Sequence, residues 1–538
     1  KGTMDEAHQL EIVIALVAAV LALATAARRL LIPYPIFLVL GGLVISVIPN
    51  VPVLRLDPDL VFLVFLPPVL WFAAYFTSLR DFRANLRPIS LLAIGLVLAT
   101  TAVVAVVARF VMPGMSWAAA IALGAIVSPP DAVAAAAIAR RLGIPFRIVT
   151  VLEGESLIND AAALVIYRSA VAAVVTGAFS LSDALWQFVV TSAGGVLVGL
   201  IVGWLVCWAL RLTEDSLTES AITLLAPYAA WLIAERTHTS GVLACVAGGL
   251  YIRQVFSSVV APATRIQATA VWNVLVFVLN GVIFALIGLQ LGAIRMAGLA
   301  EDLVTLVRLG ALICVAVIVI RLLWVPPAVV IPRLVSKKLR ARDPIPPPAA
   351  ILLVSWIGMR GIVSLAAALA LPATIASGAP FPFRSEIILV TFAVILATLV
   401  LQGLTLTPLI RFLELGEDRT LELEEARARE EAAQAAIARL EELSGAPWPR
   451  REDVDRMRAV YTQRIRRASP IELGTDGTAV RAQAAFRRLR HEVLSAERRA
   501  LIALRNQGVI SDEILHRLEQ ELDVEAMRIG LGETRLPG

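Results

Sequence analysis

Charged residues are scarce in this chain, making up 17% of its 538 residues, against about 25% in an average soluble protein. Apolar residues account for 58%, and the mean hydropathy is +0.80. Histidine and cysteine are also rare, with four and three residues. These shortages exclude a soluble enzyme, a nucleic-acid-binding protein and a secreted disulfide-rich protein.

The charges that are present are unevenly distributed. The first 415 residues hold 47 of them, and residues 416–538 hold 44, of which 23 are acidic and 21 basic. We therefore predict two domains, an all-α polytopic membrane domain over residues 1–415 and an α-helical cytoplasmic regulatory domain over residues 416–538. The cysteines Cys207, Cys245 and Cys314 fall within apolar segments, where we expect them to be packing residues.

Long apolar windows predict thirteen membrane-spanning helices, because about 20 residues cross the hydrocarbon core of a bilayer. The spans are residues 11–31, 34–50, 59–78, 88–112, 116–140, 147–176, 186–211, 217–235, 238–256, 271–291, 303–332, 349–373 and 385–413. Lysine and arginine concentrate in every second loop, which predicts an outside N-terminus and a cytoplasmic tail. In the tail, helices are predicted over residues 421–443, 452–467, 478–506 and 511–529.

The fifth predicted span is interrupted by Ser128-Pro129-Pro130-Asp131. Two consecutive prolines remove two backbone donors, so the helix is expected to break there. A break in mid-membrane exposes carbonyls and helix ends that can hold ions. Asp131 is therefore expected to cap the second half-helix and is a candidate for ion handling as well.

The sixth predicted span carries three carboxylates within eight residues. At about 100° per residue, Glu153, Ser156 and Asp160 share one helix face, while Glu155 and Asn159 share another. A hydroxyl and a carboxylate one turn apart form an oxygen site suited to a small cation. Carboxylates inside spanning helices are costly and usually mark function.

The twelfth predicted span contains Gly358-Met359-Arg360-Gly361. The glycines loosen the helix around a buried arginine that needs a partner, so a second break is expected. Arg360 is interpreted as a structural counter-ion, with Glu155, Glu153 and Asp131 as the available anions. Two breaks in comparable positions of two halves are typical of inverted-repeat transporters.

The four histidines, His8, His238, His491 and His516, all lie outside the predicted ion sites. A proton carrier within the spans must therefore be a carboxylate, and Asp160 is the candidate.

Together these motifs resemble the monovalent cation/proton antiporters, in the branch of NhaP-type proteins and eukaryotic sodium/proton exchangers. The likeness rests on residues 154–161 (Gly-Glu-Ser-Leu-Ile-Asn-Asp-Ala), on residues 128–131 and 358–361, and on Phe-Leu-Pro-Pro at 65–68. The resemblance implies an NhaA/NhaP-like fold of about thirteen helices with inverted repeats and crossed broken helices. It also implies a homodimer whose six-helix core moves like an elevator.

The same resemblance implies roles for individual residues. Asp160 would accept the proton and, with Ser156, bind Na⁺ or another monovalent cation as metal ligands. Asp131 and the carbonyl of Pro130 would lie nearby. As supporting residues, Asn159 would brace the broken fifth helix and Glu155 would pair with Arg360, while the extra acid Glu153 has no assigned role.

The function implied is electroneutral one-for-one exchange of Na⁺ or Li⁺ for H⁺ across the plasma membrane, in pH homeostasis. No cofactor, nucleic-acid partner or enzyme activity is expected. Two departures remove possible ligands: Phe72 stands where many relatives carry a glutamate, and Pro130 where a threonine is common. K⁺/H⁺ antiport therefore stays an alternative, and a passive channel and an intramembrane aspartate hydrolase using Asp131 and Asp160 are weaker ones. We expect Arg168 to be an ion-pair partner or a snorkelling residue.

Overall fold

The computed structural model describes residues 6–30, 33–48, 58–131, 135, 139, 144–178, 180–213, 215–296, 303–414, 420–446, 448–468, 477–507, 509 and 511–528. The chain divides into two compact units, Lys1–Asp418 and Arg419–Gly538. Within the described residues the regular elements are helices, apart from an isolated bridge between Thr374 and Pro380.

The helices of the first unit follow the predicted apolar windows. They are α1 Glu6–Leu30, α2 Tyr34–Val47, α3 Pro58–Phe76, α4 Leu79–Ala84, α5 Leu86–Val111, α6 Trp117–Val127, α7 Phe146–Thr176, α8 Leu181–Arg211, α9 Ser216–Arg236, α10 Gly241–Val259, α11 Pro262–Met296, α12 Leu303–Val335, α13 Lys337–Arg342, α14 Pro348–Trp356, α15 Ile362–Leu369 and α16 Arg384–Phe412. Nine of the described helices are long and apolar enough to cross a membrane, and three shorter apolar helices accompany them. The total of thirteen spans stays a prediction, and most of the second half of the fifth span, within residues 132–143, lies outside the described residues.

Several helices are longer than their apolar windows. α8 begins at Leu181 instead of residue 186, because Ser180 caps it by accepting a hydrogen bond from Asp183 N. α11 begins at Pro262 instead of residue 271, since its first turns are polar. At the start of α9, Asp215 accepts hydrogen bonds from Thr218, which hold the pKa of that carboxyl below its usual range.

The third span widens where its prolines remove backbone donors. A π-helical turn at Val61–Phe65 precedes Pro67 and Pro68. One carbonyl freed by these prolines is satisfied from a neighbouring helix, because Tyr228 Oη of α9 donates to Val64 O at 3.2 Å. The residues that follow this distortion line the cavity described below.

Glycine allows α2 and α11 to pack with their backbones in contact. A Cβ at Gly288 would lie 2.2 Å from the carbonyl oxygen of Val39, and one at Gly42 would lie 2.4 Å from that of Ala285. Small residues at helix crossings are the usual means of close packing in a membrane, where lipid offers no hydrophobic contrast between helices.

Both predicted helix breaks are present in the structure. α6 ends at Val127 and the chain is non-helical through Asp131, while residues 357–361 separate α14 from α15. The breaks meet: Asp131 N donates to Met359 O at 2.7 Å. The prediction of two interrupted helices brought together is confirmed.

The second unit consists of α17 Thr420–Leu443, α18 Arg451–Ala468, α19 Gly477–Asn506 and α20 Asp512–Arg528. These bounds differ from the predicted ones by one residue or none. α19 and α20 are joined by ion pairs from Arg490 to Glu525 and from Arg498 to Asp523. The cytoplasmic location and regulatory role of this unit stay predictions.

Candidate functional site

The first break is held by Arg360. The carbonyls of Val127 and Ser128 have no donor within a helix because α6 ends at Val127, before Pro129 and Pro130. Arg360 Nε donates to Val127 O at 2.9 Å and Nη2 to Ser128 O at 3.4 Å, while Nη1 donates to Gly358 O. The guanidinium is 1% exposed and thus joins the carbonyl ends of both breaks.

The predicted pairing of Glu155 with Arg360 is wrong. Glu155 makes a bidentate pair with Arg321 of α12, with Nη1–Oε1 at 2.5 Å and Nη2–Oε2 at 2.8 Å. Both side chains are 1% exposed. Arg321 holds Glu155 because its fork faces the carboxylate, whereas the fork of Arg360 is directed at backbone carbonyls.

Asn159 contacts the first break in the manner expected of a brace. Its Nδ2 donates to Pro130 O at 3.1 Å, and its Oδ1 is buried without a partner among the described residues. The Pro130 carbonyl, a predicted ligand, is therefore already an acceptor, although a carbonyl oxygen has a second lone pair.

A cavity of about 390 Å³ lies beside the breaks. One wall carries Glu153, Ser156 and Asp160, which is the helix face predicted from their spacing. Asp131 from the first break also lines the cavity, so the structure brings the two aspartates into one space. Asp160 is 7% exposed, so its carboxylate is almost entirely removed from bulk water.

The part of the cavity wall that α3 forms is apolar, and α11 adds further lining residues. Phe65, Phe72 and Phe76 of α3 line it, so Phe72 contributes a ring and no oxygen at this point. Two asparagines of α11, Asn273 and Asn280, add the polar groups of this wall. The sequence does not single out either asparagine, because an amide in an apolar span carries no charge signal.

Arg168 forms the ion pair expected of it. Its Nη2 lies 2.9 Å from Oε1 of Glu235 on α9. Both side chains are about half exposed (50% and 41%) and line a second cavity of about 670 Å³ that also contains Asp59. Arg168 is thus separate from the breaks.

Gly361 is where the second break contacts Asp131. Its backbone is extended (φ −130°, ψ −153°), so any residue could adopt the conformation. A Cβ there, however, would lie 2.0 Å from Asp131 Oδ2. The requirement for glycine at this position is therefore steric.

Replacing Gly361 with alanine is expected to displace the Asp131 carboxylate. The added methyl group should lower stability by about 1–3 kcal/mol, as overpacking commonly does. Thermal unfolding would measure this effect. Gly292→Ala is the matched control, since its Cβ would meet Ser46 at an ordinary 3.4 Å; equal effects in both variants would contradict the steric argument.

Comparison with known proteins gives consistent results. Residues 13–412 match the family model "Sodium/hydrogen exchanger, transmembrane". An Na⁺/H⁺ exchanger of Mycobacterium tuberculosis is 38% identical over 530 residues, covering 97% of this chain and 96% of the relative. A sodium, potassium, lithium and rubidium/H⁺ antiporter of Bacillus pumilus is 36% identical over 386 residues, covering 70% of this chain and 57% of the relative.

The fold has a solved counterpart. The sodium proton antiporter MjNhaP1 of Methanocaldococcus jannaschii at pH 8 superposes with a TM-score of 0.56 at 19% identity, covering 73% of this chain and 99% of that protein. The all-helical membrane fold with crossed broken helices is therefore confirmed as that of the NhaP-type antiporters. Since the family model spans most of the chain, this protein belongs to the sodium/hydrogen exchanger family.

Proposed function

We propose that this transporter exchanges Na⁺ or Li⁺ for H⁺, one for one, and that the two ions compete for the carboxylate of Asp160. The observation that carries the proposal is the placement of that buried carboxylate in a cavity beside two crossed helix breaks. Membership of a transporter family excludes the alternative of an intramembrane hydrolase.

The residues around Asp160 have distinct parts in this scheme. Ser156, one helical turn away on the same wall, supplies a hydroxyl oxygen to the cation, and Asp131 supplies a second carboxylate. Asn159 and Arg360 maintain the first break through its carbonyls. A single titrating carboxylate carries either one proton or one cation, which is the physical basis of electroneutral exchange.

The orientation predicted by the positively charged loops indicates which side of the membrane the cavity faces. In a plasma membrane with the N-terminus outside, the ends of α3 at Phe76 and of α7 at Phe146 are cytoplasmic. Because Phe76 and Glu153, which lie near these ends, line the cavity, we infer that it faces the cytoplasm. We propose that the chain works as a homodimer and that its core carries the breaks across the membrane as an elevator, with the second unit regulating it.

Potassium is the second candidate for the transported cation. The Bacillus pumilus relative is named for sodium, potassium, lithium and rubidium. In this chain Phe72 and Pro130 leave two positions without a side-chain oxygen that could bind a cation. K⁺ is therefore tested beside Na⁺ and Li⁺.

Purified protein in liposomes with an imposed pH gradient tests the proposal. Addition of Na⁺ or Li⁺ should collapse the gradient, whereas choline should not. Collapse by K⁺ with no response to Na⁺ would select the second candidate. Empty liposomes provide the control, and cation flux without proton counter-movement would indicate a channel and contradict exchange.

Competition at one carboxylate predicts a specific pH dependence. The half-saturation concentration for Na⁺ should rise as pH falls, because protonated Asp160 cannot bind the cation. In the limit of full competition the rise is about tenfold for each pH unit. Transport measured in liposomes over two pH units gives this concentration at each pH. A half-saturation concentration that does not change with pH would contradict competitive binding.

A further inference from the structure

Ser364 is a buried polar side chain to which the proposed function assigns no role. It lies in the first turn of α15, directly after the second break, and is 2% exposed. It lines the cavity that contains Asp131, Ser156 and Asp160. Its Oγ has no hydrogen-bond partner among the described residues.

The break explains why this hydroxyl lacks a local partner. A helical serine commonly donates to the carbonyl four residues earlier, as Ser355 does to Ile351 O at 2.7 Å. For Ser364 that residue is Arg360, which lies in the non-helical segment. A buried hydroxyl left unpaired costs about 1–3 kcal/mol, so a partner within the cavity would stabilise it.

Ser364 lies close in sequence to the point where the second break contacts a carboxylate. Gly361 lies three residues earlier and so on the same side of the half-helix. Asp131 Oδ2 sits against Gly361, at 2.0 Å from where a Cβ would be. Ser364 is therefore one turn from the point where Asp131 contacts α15.

A cation in the cavity needs oxygen atoms from more than one side. Asp160 and Ser156 supply them from α7, and Asp131 from the first break. The α3 wall presents Phe65, Phe72 and Phe76, which offer none. On α11, Asn273 and Asn280 line the cavity with amide groups, and the second break, which contacts Asp131 at Gly361, adds one cavity-lining hydroxyl, that of Ser364.

We propose that Ser364 Oγ is a further ligand for the transported alkali cation, an inference that rests on the proposed function. A hydroxyl has one donor and two lone pairs. With a cation bound, a lone pair of Ser364 Oγ coordinates it, which gives the buried hydroxyl the partner that it otherwise lacks among the described residues. The second broken helix thus contributes a cation ligand, Ser364, as well as Arg360, which donates to the carbonyls of the first break.

Ser364→Ala removes the hydroxyl without adding bulk and tests this directly. In proteoliposomes we expect the half-saturation concentration for Na⁺ to rise about tenfold to a hundredfold, the effect of one lost contact to a charged group, with the maximal rate largely retained. Stabilisation of the solubilised protein by Na⁺ against heat should weaken in parallel, because it reports binding without turnover. Ser364→Thr keeps the hydroxyl and should restore most of the affinity.

Ser355→Ala is the matched control, because Ser355 is equally buried at 2% exposed, lies on the neighbouring half-helix and has its hydroxyl satisfied. If Ser364→Ala binds and transports Na⁺ like the wild type, the inference is overturned and the proposed function stands. If Ser355→Ala has the same effect as Ser364→Ala, the effect is one of packing and the inference is also overturned. Wild-type protein that exchanges no alkali cation would overturn the proposed function and this inference together.

Discussion

Replacing Asp160 with asparagine is expected to abolish cation/proton exchange while leaving the protein folded. The amide keeps the shape of the side chain but can neither release a proton nor offer a charge. At about 4 Å and an effective dielectric of about 20, a lost unit charge removes about 4 kcal/mol of attraction. That is nearly three orders of magnitude (~10³) in cation affinity.

The measurement is Na⁺-driven collapse of a pH gradient in liposomes, beside size-exclusion and thermal-unfolding profiles. Asp183→Asn serves as the control, since that carboxylate is exposed in the first turn of α8. Stability should be unchanged or higher in Asp160→Asn, because a buried ionised carboxylate is costly. Substantial exchange by well-folded Asp160→Asn would refute the assignment.

Replacing Arg321 with methionine should lower the stability of the membrane unit more than any of the substitutions described above. Breaking a buried pair leaves Glu155 as an uncompensated charge, which costs about 3–5 kcal/mol. The double variant Arg321→Met with Glu155→Leu should recover much of the loss, because apolar replacements of both partners are often tolerated. Thermal unfolding in detergent would measure the cycle.

The ion pair between Arg168 and Glu235 provides the matched control. It has a similar N–O distance, 2.9 Å, but both side chains are about half exposed. Exposed pairs contribute about 0–1 kcal/mol, so Arg168→Met should have little effect. Equal destabilisation by Arg168→Met and Arg321→Met would show that burial of the Arg321–Glu155 pair does not determine the loss of stability.

Much of the site is predictable because it depends on local chemistry. Paired prolines must interrupt a helix, so the break after Val127 follows from Pro129 and Pro130. Helical spacing alone separates Asp160, which lines the cavity, from Glu155, which turns away from it.

The partners across helices are not predictable in the same way. Arg321 lies in an apolar window whose pattern predicts only a span, although an arginine in the middle of a span signals a buried acid elsewhere. Choosing between Arg321 and Arg360 for Glu155 requires knowing which helices pack together and where each guanidinium points. Ser364 and Asn280 carry no signal in the sequence, since their importance arises only from the cavity.

The arginines also limit the charge of the site. Arg321 neutralises Glu155, and Arg360 offsets one of the three carboxylates that line the cavity, Asp131, Glu153 and Asp160, which leaves two excess negative charges when all are ionised. One monovalent cation and one proton each lower this excess by the same unit. Net charge is costly to carry through hydrocarbon. The two loaded forms would therefore cross the membrane with equal charge, and the empty form would be held back by its larger charge, so that each inward ion must be matched by one outward.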